Sequence, residues 1–137
     1  MERSCASPAE LAARFFDTIN REGIGGVVPM LDDDVEWHTD PRVPEPGVYR
    51  GRESVTAYLN GLLAPWEQWR MEPREFIEAN PNTVVTHVRA SGLMRGTGAK
   101  AELDWWLVGI YREERLLQIK SFLNDRDRAI RAADLEP

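Results

Sequence analysis

At 137 residues, with 42% hydrophobic and 29% charged residues, the chain has the size and balance of one folded domain, which we assign to residues 1–137. A formal net charge of −6, with no long cluster of Lys and Arg, argues against a nucleic-acid partner. The chain has one cysteine and no apolar run long enough for a signal peptide or a membrane span, so we expect a cytoplasmic protein with no membrane partner.

The first predicted element is a helix that begins after Ser7. Ser7 can cap the helix, Pro8 suits its first turn, and Glu10 stands three residues after the cap, which is the pattern of a capping box. Apolar residues then recur at helical spacing until Gly23 ends the helix.

A short second helix, IGGVVPM, leads through the acidic residues 32–34 into a strand, VEWHT. We interpret the acidic residues as a solvated turn. Alternation along the strand places Val35 and Trp37 on the interior side and His38 outward or toward the mouth of the cone. Asp40 follows where the strand ends, and we expect it to line the rim of a cavity.

A proline-rich segment, PRVPEPGVYRG, reads as a loop, and RESVTAYLNGLLAPW reads as a third helix with an apolar stripe. Four strands follow, separated by the turn signals NPN, GTG and EER, and DRDRAIRAADLEP ends the chain as a short helix or tail. Helices first and a four-strand antiparallel meander afterwards predict an α+β fold, in which a curved sheet wraps around the helices.

This order resembles the nuclear transport factor 2-like fold, a cone-shaped α+β barrel. The segment VYRGRESVTAYLNGLL resembles the Gly-Arg-Glu helix start of ketosteroid isomerases and SnoaL-like proteins, and LLQIKSFLNDRDRAIRAA resembles the last strand and trailing helix of many SnoaL-like proteins. The resemblance covers residues 8–133. It leaves the activity open, because this fold hosts isomerases, cyclases, dehydratases, hydrolases and binding proteins.

The polar groups of the ketosteroid isomerases are missing at the matching positions. The resemblance implies a tyrosine in the first helix, an aspartate in the first strand and a carboxylic acid in a later strand, where this chain has Phe15, Trp37 and Trp106. We therefore expect no ketosteroid isomerisation by that machinery.

The strand register follows from the turns, since opposed residues in an antiparallel pair keep a constant index sum. A turn centred on Gly96 to Gly98 pairs residue 88 with about 106, and a turn at 113–114 pairs 106 with about 121. The predicted concave face then carries Thr86, Val88, Ala90, Asp104, Trp106, Val108, Ile119, Ser121 and Leu123. The predicted convex face carries Val85, His87, Arg89, Leu103, Trp105, Leu107, Tyr111, Lys120 and Phe122.

An apolar, aromatic cone suits a small hydrophobic molecule, polycyclic or carbonyl-bearing. The residues expected to contact it are Phe15, Phe16, Trp37, Tyr58, Leu62, Val88, Trp106, Val108, Ile119, Ser121 and Leu123.

Asp104 is the first candidate for acid/base catalysis, because burial between apolar neighbours would raise its pKa. Hydration, or pairing with Arg95, is the alternative for this residue. Asp40 and Tyr58 are the next candidates. A metal site would need His38, Asp40 and His87, whose spacing matches no recognised motif, so we expect neither a metal nor a cofactor.

Two functions stay open. In the first, the cone binds a small hydrophobic molecule, and an enzyme of this kind would be an isomerase, cyclase or dehydratase that moves protons without a cofactor. In the second, the protein is a non-catalytic binding or dimeric interaction module whose cavity is filled by its own aromatic side chains. We also expect a homodimer through the convex face, because Trp105, Leu107, Tyr111 and Phe122 would form an apolar patch with no helix left to cover it.

Overall fold

The computed structural model describes residues 6–40 and 47–134, and within those ranges it has four α-helices and six β-strands. In chain order these are α1 (Pro8–Glu22), α2 (Ile24–Val27), β1 (Leu31–His38), β2 (Val48–Arg50), α3 (Arg52–Leu63), β3 (Trp66–Asn80), β4 (Thr83–Met94), β5 (Lys100–Arg112), β6 (Arg115–Leu123) and α4 (Arg126–Asp134). A 3₁₀ turn, Val28–Met30, joins α2 to β1.

The capping box predicted for α1 is confirmed. The Ser7 hydroxyl accepts a hydrogen bond from the Glu10 backbone N–H at 3.2 Å, and the Glu10 carboxylate accepts one from the Ser7 N–H at 2.8 Å. Gly23 ends the helix with φ at 80°, a value that favours glycine, and donates its N–H to the Ile19 carbonyl. The apolar side of α1 packs against β3, β4 and β5.

The six strands form one curved sheet in the order β2-β1-β6-β5-β4-β3. The antiparallel meander β3-β4-β5-β6 is confirmed, and α1 and α3 pack on the same face of the sheet, so the predicted α+β architecture is confirmed as well. Two details differ from the prediction. β1 joins the meander by parallel pairing with β6, and β2 and β3 remain unpaired on their outer edges, so the sheet does not close into a barrel.

Two local predictions before α3 are wrong. The segment read as loop contains the strand β2, whose Tyr49 lies opposite Trp37 of β1. The acidic residues 32–34 belong to β1 rather than to a solvated turn. Asp32 is buried because its two carboxylate oxygens accept hydrogen bonds from the Arg112 guanidinium at 2.7 and 3.1 Å, which also lowers the pKa of Asp32.

The predicted register of β5 is wrong by one residue. The turn between β4 and β5 spans four residues, since the Met94 N–H bonds to the Ala99 carbonyl, whereas the prediction assumed three. Val88 therefore lies opposite Trp105 rather than Trp106. Because side chains alternate across a strand, every β5 side chain is on the face opposite to the predicted one.

A second irregularity lies between β5 and β6. The pairing near the turn matches the prediction, but a bulge between Ile110 and Tyr111 shifts the remaining pairs, and Trp105 lies opposite Leu123. The two shifts cancel in β6, where Ile119, Ser121 and Leu123 keep the concave side. In β5, by contrast, Leu103, Trp105 and Leu107 are concave, and Asp104, Trp106 and Val108 are convex.

The convex face has its own cover. Trp106, Val85 and Val108 pack against Ala129 and Ala133 of α4, and all five are buried. The argument for a dimer therefore loses its basis, since Trp105 and Leu107 belong to the interior core, Tyr111 packs against that core, and a helix is present to cover the sheet. Dimerisation itself stays a prediction. Within the described ranges, no helix is both long and apolar enough to cross a membrane.

The packing of α4 can be tested with Ala129→Asp. Ala129 is fully buried against Trp106, so a carboxylate there must either lose its water or detach the helix. We expect the free energy of unfolding in urea to fall by about 2–4 kcal/mol. Arg131→Asp, at an exposed position of the same helix, should change it by less than about 1 kcal/mol. Equal effects of the two variants would show that α4 does not depend on this contact.

Candidate functional site

A small cavity lies between the helices and the concave face of the sheet. Its volume is about 50 Å³, and its wall is almost wholly apolar. Two helices, α1 and α3, and five strands, β1, β3, β4, β5 and β6, contribute side chains to it. The described residues that line it are Phe15, Phe16, Ile19, Trp37, Tyr58, Leu59, Leu62, Leu63, Met71, Val88, Trp105, Leu107 and Ser121.

The cavity is too small for a ring as it stands. A cavity of roughly 150 Å³ is known to hold benzene, while a water molecule needs only about 10–15 Å³ by the same measure. The aromatic side chains of α1, β1 and β5 occupy most of the cone. A ligand of ring size must therefore displace a side chain at the boundary of the cavity.

An open groove of about 600 Å³ lies beside the cavity, along α3 and β2. Tyr58 and Leu62 of α3 line both spaces, so their side chains stand at the boundary. The other described residues of the groove are Tyr49, Ser54, Ala57, Gly61 and Pro65. A molecule lying in the groove would reach the cavity once Tyr58 and Leu62 move.

Tyr58 is held between two aromatic rings. Its ring stacks on Tyr49 with centroids 4.5 Å apart and lies 6.2 Å from the ring of Trp37. Burial, and to a smaller extent the nearby Tyr49, raise the pKa of Tyr58 to about 12. The phenol therefore keeps its proton at neutral pH, so it can donate a hydrogen bond but cannot serve as a base. The catalytic role of Tyr58 stays a prediction.

Ser121 places a hydroxyl in this apolar wall. The residue is 4% exposed, lies opposite Leu107 on the concave face, and its Oγ has no hydrogen-bond partner among the described residues. A buried polar group without a partner costs about 1–3 kcal/mol. Ser121 is therefore a buried hydrogen-bonding group that no other described residue satisfies.

Asp40 is buried rather than placed at a cavity rim. It is fully inaccessible, and its Oδ2 accepts a hydrogen bond from the Leu123 backbone N–H at 2.7 Å. This bond ties the chain after β1 to the end of β6, two residues from Ser121. Asp40 does not itself line the cavity.

Asp104 lies on the convex face, away from the cavity. Its carboxylate accepts hydrogen bonds from the Arg89 guanidinium at 3.1 and 3.4 Å and contacts His87 Nε2 at 2.9 Å. These bonds, that from Arg89 first, lower the pKa of Asp104, whereas the prediction was that burial would raise it. The predicted partner, Arg95, contacts Glu67 and backbone carbonyls instead.

The neighbours of Asp104 form a compact cluster on the convex face. The ring of His87 stacks on Trp106 with centroids 4.3 Å apart and planes 5° from parallel. The guanidinium of Arg126, at the start of α4, lies 5.6 Å from the centroid of the Trp106 ring. Asp104 thus belongs to an ion-pair and stacking network that joins the sheet to α4.

The predicted contact residues divide into three groups. Seven line the cavity: Phe15, Phe16, Trp37, Tyr58, Leu62, Val88 and Ser121. Ile119 and Leu123 are concave but pack in or against the core, and Trp106 and Val108 are wrong placements, since both lie on the convex face under α4. Contact of these residues with a ligand stays a prediction.

Sequence reasoning missed the contributions of Trp105 and Leu107. A four-residue turn between β4 and β5 would have placed both inward, and the two glycines of that turn, Gly96 and Gly98, both have positive φ. The inward tryptophan of β5 is thus Trp105. Like Trp106, it has no carboxyl group, so the corrected register does not supply the carboxylic acid of the ketosteroid isomerases.

The groups considered for a metal do not come together. His38 pairs with Glu36 at 3.0 Å, while His87 pairs with Asp104 on another part of the sheet. In the part of the chain that the structure describes, no three His, Cys, Asp or Glu side chains gather as metal ligands.

A family model for the SnoaL-like domain matches residues 12–115, which is more than half of the chain. The chain belongs to the SnoaL-like family. No curated protein sequence matches this SnoaL-like chain significantly.

Solved structures share the fold of this chain. An NTF2-like protein from Burkholderia thailandensis E264 matches with a TM-score of 0.75 and 19% identity, over 97% of this chain and 100% of its own. A candidate SnoaL-like polyketide cyclase from Jannaschia sp. CCS1 matches with a TM-score of 0.73 and 13% identity, over 100% and 99%. TerC, co-crystallised with polyporic acid, matches with a TM-score of 0.73 and 19% identity, over 94% and 98%. At these identities the likeness establishes the fold.

The ion pairs of Asp104 predict that the stability of this SnoaL-like chain depends on pH. Its pKa is lower in the folded protein than the value of about 3.9 in an unfolded chain, so it contributes stability above about pH 4 and loses that contribution as the pH falls through the folded value. Asp104→Asn should therefore lower the melting temperature at pH 7. Below pH 4 the melting temperature of this variant should fall less than that of the unmodified protein.

Asp17→Asn provides the matched control, because Asp17 is exposed on α1 and forms an exposed ion pair with Arg21 at 3.0 Å. Thermal unfolding followed by circular dichroism between pH 2 and 7 measures both variants. If the melting temperature of Asp104→Asn falls as steeply with decreasing pH as that of the unmodified protein, Asp104 is not the stabilising carboxylate.

Proposed function

We propose that this protein binds a small, flat, hydrophobic molecule that lies in the groove along α3 and β2 and inserts one end into the aromatic cavity. The observation that carries the proposal is the shared boundary of the two spaces at Tyr58 and Leu62. An open groove alone would hold a ligand loosely, and the cavity alone would not admit one. Together they offer an apolar site that is closed at one end and accessible at the other.

The lining supports an apolar ligand with a flat shape. Phe15, Phe16, Trp37 and Trp105 surround the closed end, and the Tyr49–Tyr58 stack presents aromatic surface at the open end. Aromatic side chains favour ligand rings that can pack edge to face or offset against them. A polycyclic molecule would lie mostly in the groove, because the cavity has space for much less than one ring before its side chains move.

The family supports the same proposal at a coarser level. TerC, which shares the fold, was co-crystallised with polyporic acid, so the fold accommodates an organic ligand in at least that protein. At 19% identity this does not identify the ligand of the present chain, which depends on its own lining residues.

A fluorinated aromatic probe tests the proposal. We expect 1-fluoronaphthalene to bind the unmodified protein, as measured by ¹⁹F line broadening, and Gly61→Phe to weaken the binding at least tenfold. Gly61 lines the groove, and a Cβ atom added there meets no neighbouring atom within 4 Å. We therefore expect the phenylalanine to start without a backbone clash and its ring to occupy groove space.

The matched control is Asn60→Phe, which adds the same ring at an exposed neighbouring position that does not line the groove. It should leave the affinity unchanged. Equal binding to the unmodified protein and to Gly61→Phe would place the probe elsewhere. No binding at all would favour the interaction module whose aromatic side chains fill the cone.

Cofactor-free acid/base catalysis is the second candidate, and Asp40 is the observation that favours it. Its carboxyl group is buried and is joined to Leu123, close in the chain to the cavity-lining Ser121. An aspartate carboxyl group is one of the side chains that serve as a general acid or base.

Solvent exchange tests this candidate without knowledge of the substrate. If Asp40 moves protons, the protein in D₂O should exchange the α-hydrogens of an enolisable cyclic ketone, measured by ¹H NMR, and Asp40→Asn should slow the exchange by about 10²-fold. Asp17→Asn should exchange at the unmodified rate. Exchange no faster than in buffer would restrict the proposed function to binding.

A further inference from the structure

The hydroxyl of Ser121 is the one feature of the cavity that its apolar neighbours do not explain. The residue is 96% inaccessible, its Oγ has no partner among the described residues, and it lies in the wall of the cavity opposite Leu107. An alanine would occupy the same position on β6 without leaving a polar atom unsatisfied. We infer that Ser121 anchors the ligand by forming a hydrogen bond to one polar group of a neutral, otherwise apolar molecule.

This inference rests on the proposed function and narrows it to a chemical class. The described residues that line the cavity include no Asp, Glu, Lys, Arg or His. A charged ligand group placed there would lose its water and gain no opposite charge. The class is therefore neutral, and a carboxylate or an ammonium group at the closed end is disfavoured.

A serine hydroxyl can donate one hydrogen bond and accept two, so it serves a ketone, an alcohol or a phenol equally well. The shared chemistry of these groups is one hydrogen-bonding oxygen on a small ring. The polar group enters the space of about 50 Å³ beside Ser121, and the ring occupies the boundary at Tyr58 and Leu62.

A bound water is a weaker explanation of the same hydroxyl. The space suffices for a water molecule, but a buried water normally makes about three hydrogen bonds. The cavity wall is almost wholly apolar, and the described side-chain hydroxyls on it are those of Ser121 and Tyr58. A ligand oxygen needs fewer partners than a water, because its ring makes the apolar contacts.

Two probes of nearly the same shape separate the hydrogen bond from the apolar contacts. These are 4-fluorophenol and 4-fluorotoluene, whose affinities are measured by ¹⁹F NMR titration. The readout is the ratio of the two affinities, which cancels general effects of a mutation on the site. We expect Ser121→Ala to lower the relative affinity for 4-fluorophenol about tenfold and to leave the affinity for 4-fluorotoluene within about twofold.

Ser91→Ala is the matched control, since it removes a hydroxyl from β4, which is separated from β6 by β5, at a position that does not line this cavity. It should leave the ratio unchanged. Circular dichroism of each variant verifies that it is folded. The melting temperature without ligand supplies an independent readout, because deletion of an unsatisfied hydroxyl should raise it in Ser121→Ala.

The possible failures are distinguishable. If both probes bind and Ser121→Ala leaves their ratio unchanged, the anchoring role is wrong while the proposed binding function stands. If neither probe nor 1-fluoronaphthalene binds, the proposed function fails and the inference fails with it. If Ser121→Ala lowers the melting temperature and leaves the ratio unchanged, the hydroxyl is satisfied by a structural water and the inference is overturned.

Discussion

The pairing of β4 with β5 is the constraint on which the rest of the site depends. It selects which of the two adjacent tryptophans enters the cone. Val88 lies opposite Trp105, so the ring of Trp105 closes the cavity and that of Trp106 passes to the other side of the sheet. Moving the register by one residue would exchange the two rings and would also bring the charged Asp104 inside. The site is apolar because the turn between these strands contains four residues.

The same pairing explains why the two faces of the sheet differ in chemistry. The concave face receives side chains that pack against α1 and α3, and they form an apolar core around a cavity of about 50 Å³. The convex face receives Asp104, which finds His87 and Arg89 on the neighbouring strand, and Trp106, which finds α4. A carboxylate that would be costly inside is thus paired outside, where its ionised form is stabilised.

The cavity of about 50 Å³ is too small for a ring, yet the Ser121 hydroxyl in its wall has no hydrogen-bond partner among the described residues. A protein selected for stability alone would gain from an alanine at Ser121 and from still tighter packing around it. The groove beside Tyr58 and Leu62, and the buried carboxyl of Asp40 near the end of β6, lie close to the same region. These features are the ones on which the proposal of ligand recognition rests.

The sequence by itself determined most of the elements. The capping box around Ser7, the inward Trp37 and the antiparallel meander follow from local patterns, because helix caps, strand alternation and turn residues act over a few neighbouring positions. The SnoaL-like character was expected from the resemblance of two segments to that family. Six of the predicted contact residues line the cavity from α1, β1, α3 and β4, and Ser121 joins them from β6 because the two register shifts cancel there.

Tertiary structure decided what depended on distant pairing. The length of the β4–β5 turn determined which side each β5 residue occupies, and the register shift near Ile110 determined the sides in β6. Neither can be read from alternation, which is the same for both registers. The burial of Asp32 required Arg112 from β5, and the burial of Asp40 required the backbone of Leu123. The unpartnered state of Ser121 likewise becomes visible once all its neighbours are in place, because a hydrogen bond depends on the positions of both of its groups.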